Sequence, residues 1–487
     1  MTPSSELLSL IRALAGNPHD CCWSHLPFSS SSSSSSSSEE ITTCTWITEV
    51  YVACPPCSVD AWERPEEWPD ITEMVAGIVG LIAVEDTTME VVALLCEGSY
   101  TVDWGDGSAT EDFASGVKAE HSYDYATLSG DVLSYGYKTA IVSVTAQEGS
   151  SLTLVDFQQK HSATGSTYPL AKWLDVAMNI PACESLTFGS AYEGWRRRVS
   201  MGWVQRVTVT SHALTDMSNL FEGCYALASV ELADTAAVTT TNSMFSRCAS
   251  LPTIPLVDLS AVTDAAYMFE YCHGLVCLPE LDTSQVEDMS GMFSHCGRLL
   301  SLPDLNIGQV SSLLYAFEYC ASLPSLPVFD MSSLVSAEGM LFGCSALSEL
   351  PTMDMPVVEE GGSFASLCTS LYQTTGLNMG SLGTVYAMFE YCTTMTQVPI
   401  LDLSSIWGAS SMTNFLRYAD GVNSSAVHDG VYRIDYSYKP LSAAAINEIF
   451  TNLGTAAGTQ TITITNCPGA ATCDRSIATA KGWTVVG

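Results

Sequence analysis

Eight cysteines stand on one arithmetic series: Cys224, Cys248, Cys272, Cys296, Cys320, Cys344, Cys368 and Cys392, each 24 residues after the last. A thiol column has three readings: metal ligands, inter-coil disulfides, or small buried thiols. Disulfides would need alternate coils to differ, and they do not, so we read buried thiols. A second column carries acids: Asp234, Asp258, Asp282, Asp330, Asp354 and Asp402, with Asn306 and Asn378 in the same register. Carboxylates one coil apart repel. Either calcium bridges them or each accepts from backbone N–H in a turn. Ser or Thr two residues on recurs more reliably than a second acid such as Asp264 or Asp288. Turn bonding is therefore the reading, no cofactor is required, and calcium is the alternative. In the recurring FEYC, Glu270, Glu318 and Glu390 stand beside Tyr271, Tyr319 and Tyr391. Exposed, these form an aromatic and acidic recognition stripe suited to sugar rings. Partly buried, they fill gaps between turns.

Other chemistry is sparse. No GxSxG, HExxH or phosphate-binding glycine loop occurs, and the eight His share no register. Carboxylates are too abundant for any pair to mark a glycosidase. The chain reads as no enzyme. Cys54-Pro-Pro-Cys57 is one CxxC without a second, so metal, disulfide and free thiols stay open there, as they do for Cys21, Cys22 and Cys44. Cys467 and Cys473 flank a loop that a disulfide could close. Arg196, Arg197 and Arg198 form a basic cluster, read as a solvated loop or a docking point.

The elements that must position these columns follow from the repeat, roughly MFxxCxxLxxLPxLDxSxVxxMxx. Phe245, Phe269, Phe293, Phe317 and Phe389 stand three before Cys, and Leu, or Met395 in the last, three after it. Steps of three place them on one face of a short helical turn. Leu-Pro-Leu then alternates as an extended segment, with Pro at a strand end. One coil cannot bury its apolar face alone, so coils must stack as a solenoid. The coil around Cys368 lacks the Phe and Pro and starts at Gly361-Gly362, which predicts a loose or bent coil.

These residues resemble the leucine-rich repeats of BspA-like surface proteins, in the 24-residue form also found in mycoplasma-type lipoproteins. The resemblance implies a surface-exposed recognition scaffold without enzymatic activity. Upstream, YTVDWGDGS and a later HSY resemble a polycystic-kidney-disease (PKD) domain, an immunoglobulin-like β-sandwich. Trp104, Asp106, Gly107, His121 and Tyr123 carry that match. The C-terminal stretch resembles the end of leucine-rich-repeat proteins in phage tail gene clusters.

The fold class is therefore multidomain, α/β-repeat and all-β: a PKD-like β-sandwich followed by a capped leucine-rich-repeat solenoid. The organisation reads as an attachment segment with a poly-Ser linker (1–70), the sandwich (71–158), degenerate first coils (159–214), eight repeats (215–415) and a capping unit (416–487). In that last unit, 441–453 predicts a helix, 461–465 a strand and 476–483 a short helix.

Of 487 residues, 17 are Lys or Arg and 53 Asp or Glu, a net charge of −36. Such a chain repels phosphate backbones, which excludes nucleic acid. At 14 % charged and 47 % hydrophobic it is not disordered throughout. The longest apolar run, 74–84, is too short for a membrane span, and the N-terminus has no signal-peptide pattern. From 221 to 415, twenty acids face only Arg247 and Arg298. We expect a virion structural protein, assembled in the host cytoplasm without a signal peptide: a phage tail-fibre, baseplate or head-decoration adhesin. It would bind other virion proteins through residues 1–70, contact a host glycan or protein, and form a homo-oligomer. The alternatives are a cellular surface adhesin or filament, and a polysaccharide-degrading tailspike.

Overall fold

The computed structural model describes residues 62–71, 77–86, 90–164, 171–189, 201–372, 374, 377–380 and 382–487. The chain divides into Met1–Glu63 and Arg64–Gly487. The poly-Ser tract, Cys21, Cys22, Cys44, Cys54, Cys57 and the Arg196–Arg198 cluster lie outside the described residues. The second unit is mostly β, with two antiparallel-rich sheets followed by a β-solenoid of about 11 turns.

The first strands are β1 (Gly77–Val84), β2 (Glu90–Glu97), β3 (Tyr100–Asp103), β4 (Glu111–Phe113), β5 (Lys118–Tyr123), β6 (Lys138–Ala146) and β7 (Leu154–Asp156). They continue with β8 (Trp173–Asn179), β9 (Ser185–Thr187), β10 (Arg206–Thr210) and β11 (Ser229–Ala233). One sheet runs β11-β10-β8-β1-β6-β3-β4 and the other β5-β2-β7-β9. All eight residues of β1, GIVGLIAV, are buried, as expected for a strand covered on both faces. Strand β8 joins two architectures. It pairs antiparallel with β1 on one side and parallel with β10 on the other. Beneath this junction Asp175, fully buried, accepts from Arg64 at 2.7 Å and from Arg206 at 2.9 Å. Two guanidiniums thus compensate a charge that could not be buried alone.

From β10 onward the chain winds in parallel coils. Asp216, Thr240, Asp264, Asp288, Ser312, Ser336, Glu360 and Thr384 are joined in series by parallel bridges. The Phe-x-x-Cys segment forms turns and not the expected helical turn. Leu220, Glu222 and Cys224 N–H donate three residues back, at 3.0–3.2 Å, while Asn219, Phe221 and Gly223 N–H donate to the next coil at 2.8–2.9 Å. Two residues in each such segment adopt the left-handed conformation, such as Asn219 (φ 59°) and Gly223 (φ 77°), and later Ala387 (φ 50°) and Tyr391 (φ 62°). The neighbouring coil supplies acceptors for every second donor, so the segment need not close on itself as a helix does.

The extended Leu-Pro-Leu segments form ladder strands only in some coils. The coils holding Pro255, Pro279, Pro303 and Pro327 have none there. Strands appear at β11, β12 (Met353–Met355), β13 (Leu377–Met379) and β14 (Gln397–Asp402). Pro lacks the ladder donor. Pro399 lies inside β14, and the register shifts there, between Val398 and Leu401.

The turn segment of the Cys368 coil, 361–367, is regular. Gly361, Ser363, Ala365 and Leu367 all keep their inter-coil bonds. Phe364 and Ala365 occupy the slots that hold Met and Phe elsewhere, and both are fully buried. The large ring has moved one slot earlier, and a small residue fills the usual Phe slot.

Residues 416–487 continue the winding. Strand β15 (Ser424–His428) pairs parallel with β14, and β16 (Ile434–Asp435), β17 (Gln460–Thr463) and β18 (Trp483–Val486) form a parallel sheet. Helix α1 (Ala443–Asn452) is capped by Ser442, whose hydroxyl accepts from Ala445 N–H at 3.2 Å. It buries Ile446, Ile449 and Phe450, and the short α2 (Ser476–Thr479) follows. No described helix is long and apolar enough to cross a membrane.

Candidate functional site

The left-handed position just before each Cys presents one side chain per coil to the surface. Arg247, Tyr271, His295 and Tyr319 occupy it in successive coils. The Arg247 guanidinium lies 4.5 Å from the Tyr271 ring centre. Tyr271 stacks on His295 at 4.3 Å, and His295 on Tyr319 at 4.8 Å. These separations match the coil spacing, so the backbone repeat itself sets the stack. Gly343 and Leu367 interrupt the column. Tyr391 then stacks on Tyr418 at 4.6 Å. The three tyrosines of FEYC therefore fall into two blocks. Within the first, the cation and the rings cover one another's faces. The column offers ring edges and hydroxyls.

Beside it, Glu270 and Glu318 are only partly exposed. Ser246 donates to Glu270 at 3.2 Å, and Ser294 to Glu318 at 3.0 Å. Arg247 and His295 come within 3.9 Å of Glu270 and Glu318 respectively. Burial pushes both carboxyls above the ordinary range, outweighing these partners. Burial, with His273 and Arg247 nearby, lowers His295, so its ring is neutral at pH 7. Glu390 instead pairs with Arg417 at 3.3 Å.

A parallel column sits at the other left-handed position, four residues earlier. Tyr267 and Tyr315 alternate there with Gly291 and Gly339. Each Tyr ring lies across the glycine of the next coil, where any Cβ would overlap it. The two rings are two coils apart, roughly 10 Å at about 4.8 Å per coil. The alternation Tyr-Gly-Tyr-Gly at 24-residue steps is visible in the sequence. It carried no signal there because a helical turn would not have projected it.

The remaining columns are internal or self-satisfied. Asp258, Asp282, Asp330 and Asp402 accept from the Ser N–H two residues on at 2.9–3.1 Å. Hydrogen bonds from Ser260, Ser284 and Ser332 hold Asp258, Asp282 and Asp330 below the usual carboxylate range. Asp354 accepts from Asn378 at 2.7 Å, and Asp234 pairs with His212 at 3.0 Å. Among the described residues no three His, Cys, Asp or Glu converge on a metal-sized space.

All eight ladder cysteines are free thiols with no exposure. From Cys248 onward each thiol donates to a main-chain carbonyl of the preceding coil, Cys248 to Phe221 at 3.2 Å and Cys392 to Ala365 at 3.0 Å. Burial pushes Cys296, Cys344 and Cys392 up to about 12, so they are not nucleophiles. Phe245, Phe269, Phe293 and Phe317 stack above them at 5.7–5.8 Å, and Phe389 tilts against Phe415 at 6.1 Å. Cys467 and Cys473 are free as well.

In the first sheets, Trp104, Asp106, His121 and Tyr123 interlock. The fully buried Trp104 stacks on His121 at 4.9 Å. His121 Nε2 meets Asp106 at 2.8 Å, and Tyr123 donates to the Trp104 carbonyl at 2.7 Å. Gly107 turns the chain at φ 87°. Burial opposes the Asp106 charge, yet bonds from Ser108 and His121 hold it down at about 2.

A family profile described as a Mycoplasma protein of unknown function, DUF285, matches residues 207–299 and 256–353. The match covers less than a third of the chain and falls on the regular coils. The search of curated proteins gave no match.

Proposed function

We propose that the chain is a non-enzymatic display scaffold whose turn face recognises a hydroxyl-rich surface polymer. The observation that carries this is the paired columns: the Arg247–Tyr271–His295–Tyr319 stack and, four residues away, Tyr267 and Tyr315 spaced by glycine. Glu270 and Glu318 lie between them as acceptors. Ring edges and hydroxyls repeated at a fixed coil spacing suit a polymer with its own repeat. We read the first sheets as a PKD-like spacer and the terminal coils as the solenoid's cap. The setting we favour is a phage appendage, attached to other virion proteins through residues 1–70 and oligomeric. The Mycoplasma-type family match favours a second setting, a cellular surface adhesin.

The test is binding of the full chain to purified bacterial surface polysaccharides by biolayer interferometry. One or more should bind without being shortened, and Tyr267→Ser combined with Tyr315→Ser should abolish binding with an unchanged melting temperature. Binding that survives the double substitution, or a glycan cut to shorter products, overturns the reading.

A further inference from the structure

The 24-residue register ends after Cys392, and a cleft opens where it ends. In regular coils the Phe N–H reaches a carbonyl 23 residues on, as from Phe293 to Ala316; from Phe389 it reaches Phe415. The coil is thus three residues longer. Leu416 and Ala419 take the Phe and Cys slots, both buried. The extra length carries a short 310 turn, Ala409–Met412. Between this turn and β16 lies a cleft of about 940 Å³.

It gathers cations that are sparse in the coils before it, beside Asp420 and Asp435. Arg417, Arg433 and Lys439 all line it, whereas 207–416 holds only Arg247 and Arg298 as Lys or Arg. The three cations differ in how they are held. Lys439 is 3 % exposed and pairs with Asp420 at 3.2 Å. Arg417 is pre-oriented. Its guanidinium packs 4.7 Å from the Tyr418 ring centre, donates to the Tyr418 hydroxyl at 3.0 Å and meets Glu390 at 3.3 Å. Arg433 is exposed. Alternation along β16 buries Ile434 and Tyr436 and turns Arg433, Asp435 and Ser437 to the cleft. The Asp435 carboxylate already accepts from Ser437 N–H at 2.8 Å and its hydroxyl at 2.6 Å. At the rim Tyr438, held at φ 63°, is 68 % exposed.

We propose that this cleft binds a carboxylate-bearing saccharide unit, a hexuronate in a polysaccharide chain. Arg433 takes the carboxylate, as guanidinium forks do bidentately. Tyr438 takes the apolar face of the sugar ring. Arg417 and Lys439 are held by Glu390 and Asp420, so the carboxylate falls to Arg433. The site is separate from the Tyr267/Tyr315 face and stands if that face binds nothing.

The test is calorimetric titration of the full chain with a glucuronate-containing oligosaccharide and with its neutral glucose counterpart. The acidic ligand should bind and the neutral one should not. Arg433→Ala should weaken binding about tenfold or more, the effect of one charge-assisted pair, with Arg433→Lys intermediate. Tyr438→Ala should weaken it less, and added salt should weaken it in the wild type. Equal affinity for the two ligands, no heat with the acidic one, or an Arg433→Ala variant that binds as well as wild type overturns the proposal. Arg433 is exposed, so an unchanged melting temperature separates lost binding from lost folding.

Discussion

The first sheets and the solenoid bury aromatic side chains by opposite rules. Trp104, just after β3, meets His121 and Tyr123 of β5, each ring with its own partner: His121 stacks on Trp104, and Tyr123 donates to the Trp104 carbonyl. Phe245, Phe269 and Phe293 each stack between two other phenylalanines of the same column, and Phe317 closes the row on Phe293. The solenoid accepts Leu341 and Ala365 in the same slot, both fully buried. A unique contact has no substitute. A repeated contact is nearest-neighbour only, so its loss stays local.

The largest expected effect separates the two. Trp104→Ala should cost about 3–5 kcal/mol, because it removes the ring under His121 and the partner of Glu111. Hydrogen exchange should show lost protection across both first sheets. Phe317→Leu places in one coil what Leu341 already is in the next, and should cost under about 1.5 kcal/mol, with protection lost in adjacent coils only. Equal spread of lost protection in the two variants would break the contrast.

Gly339→Ala comes next. Its Cβ would enter the Tyr315 ring at a left-handed φ of 59°. The cost should be about 1–2 kcal/mol by denaturant titration. Tyr315→Ser in the same chain should recover the part due to the ring. A double variant no better than the single would mean that backbone strain alone is at work.

The pH dependence should differ in sign. Asp106 has its folded value lowered to about 2 from 3.8, so its stabilisation is present above 3.8 and lost as pH falls toward 2. Glu270 and Glu318 have raised folded values, so their contribution is present below the ordinary value of 4.5 and lost as pH rises through the raised one. Glu318→Gln should therefore stabilise the coils slightly at pH 7, by under about 1 kcal/mol, and the gain should vanish near pH 4. Asp106→Asn should destabilise the first sheets at pH 7 and be neutral near pH 2. A Glu318→Gln effect that is flat with pH would sink this assignment.

The smallest effect on stability has the clearest readout. Burial to about 12 leaves Cys296, Cys344 and Cys392 without thiolate at pH 8. A thiol reagent should leave them unmodified, by peptide mass mapping, until denaturant is added. Fast labelling of the native protein would show that the coils open.

The period of 24, the inward Cys, Phe and Leu and the Asx turns were legible in the sequence. A fixed spacing encodes which side chains share a face whatever the local backbone does. The turn conformation was not legible, because it depends on acceptors 23 residues away that only stacking supplies. For the same reason two readings of the FEYC tyrosines stayed open in the sequence, an exposed stripe or rings that fill gaps between turns, and only the stack shows which faces are covered. The last coil was hidden by three extra residues and by Leu416 and Ala419 in place of Phe and Cys. Strand β8 falls within the stretch read as degenerate first coils, 159–214, and it hydrogen-bonds both to β1 and to β10. Residue identity alone thus determined the repeat and its buried core. The stacking of one coil on the next decided backbone handedness, which ring faces stay open and where the cleft forms. Those depend on partners distant in the chain, and local spacing does not record them.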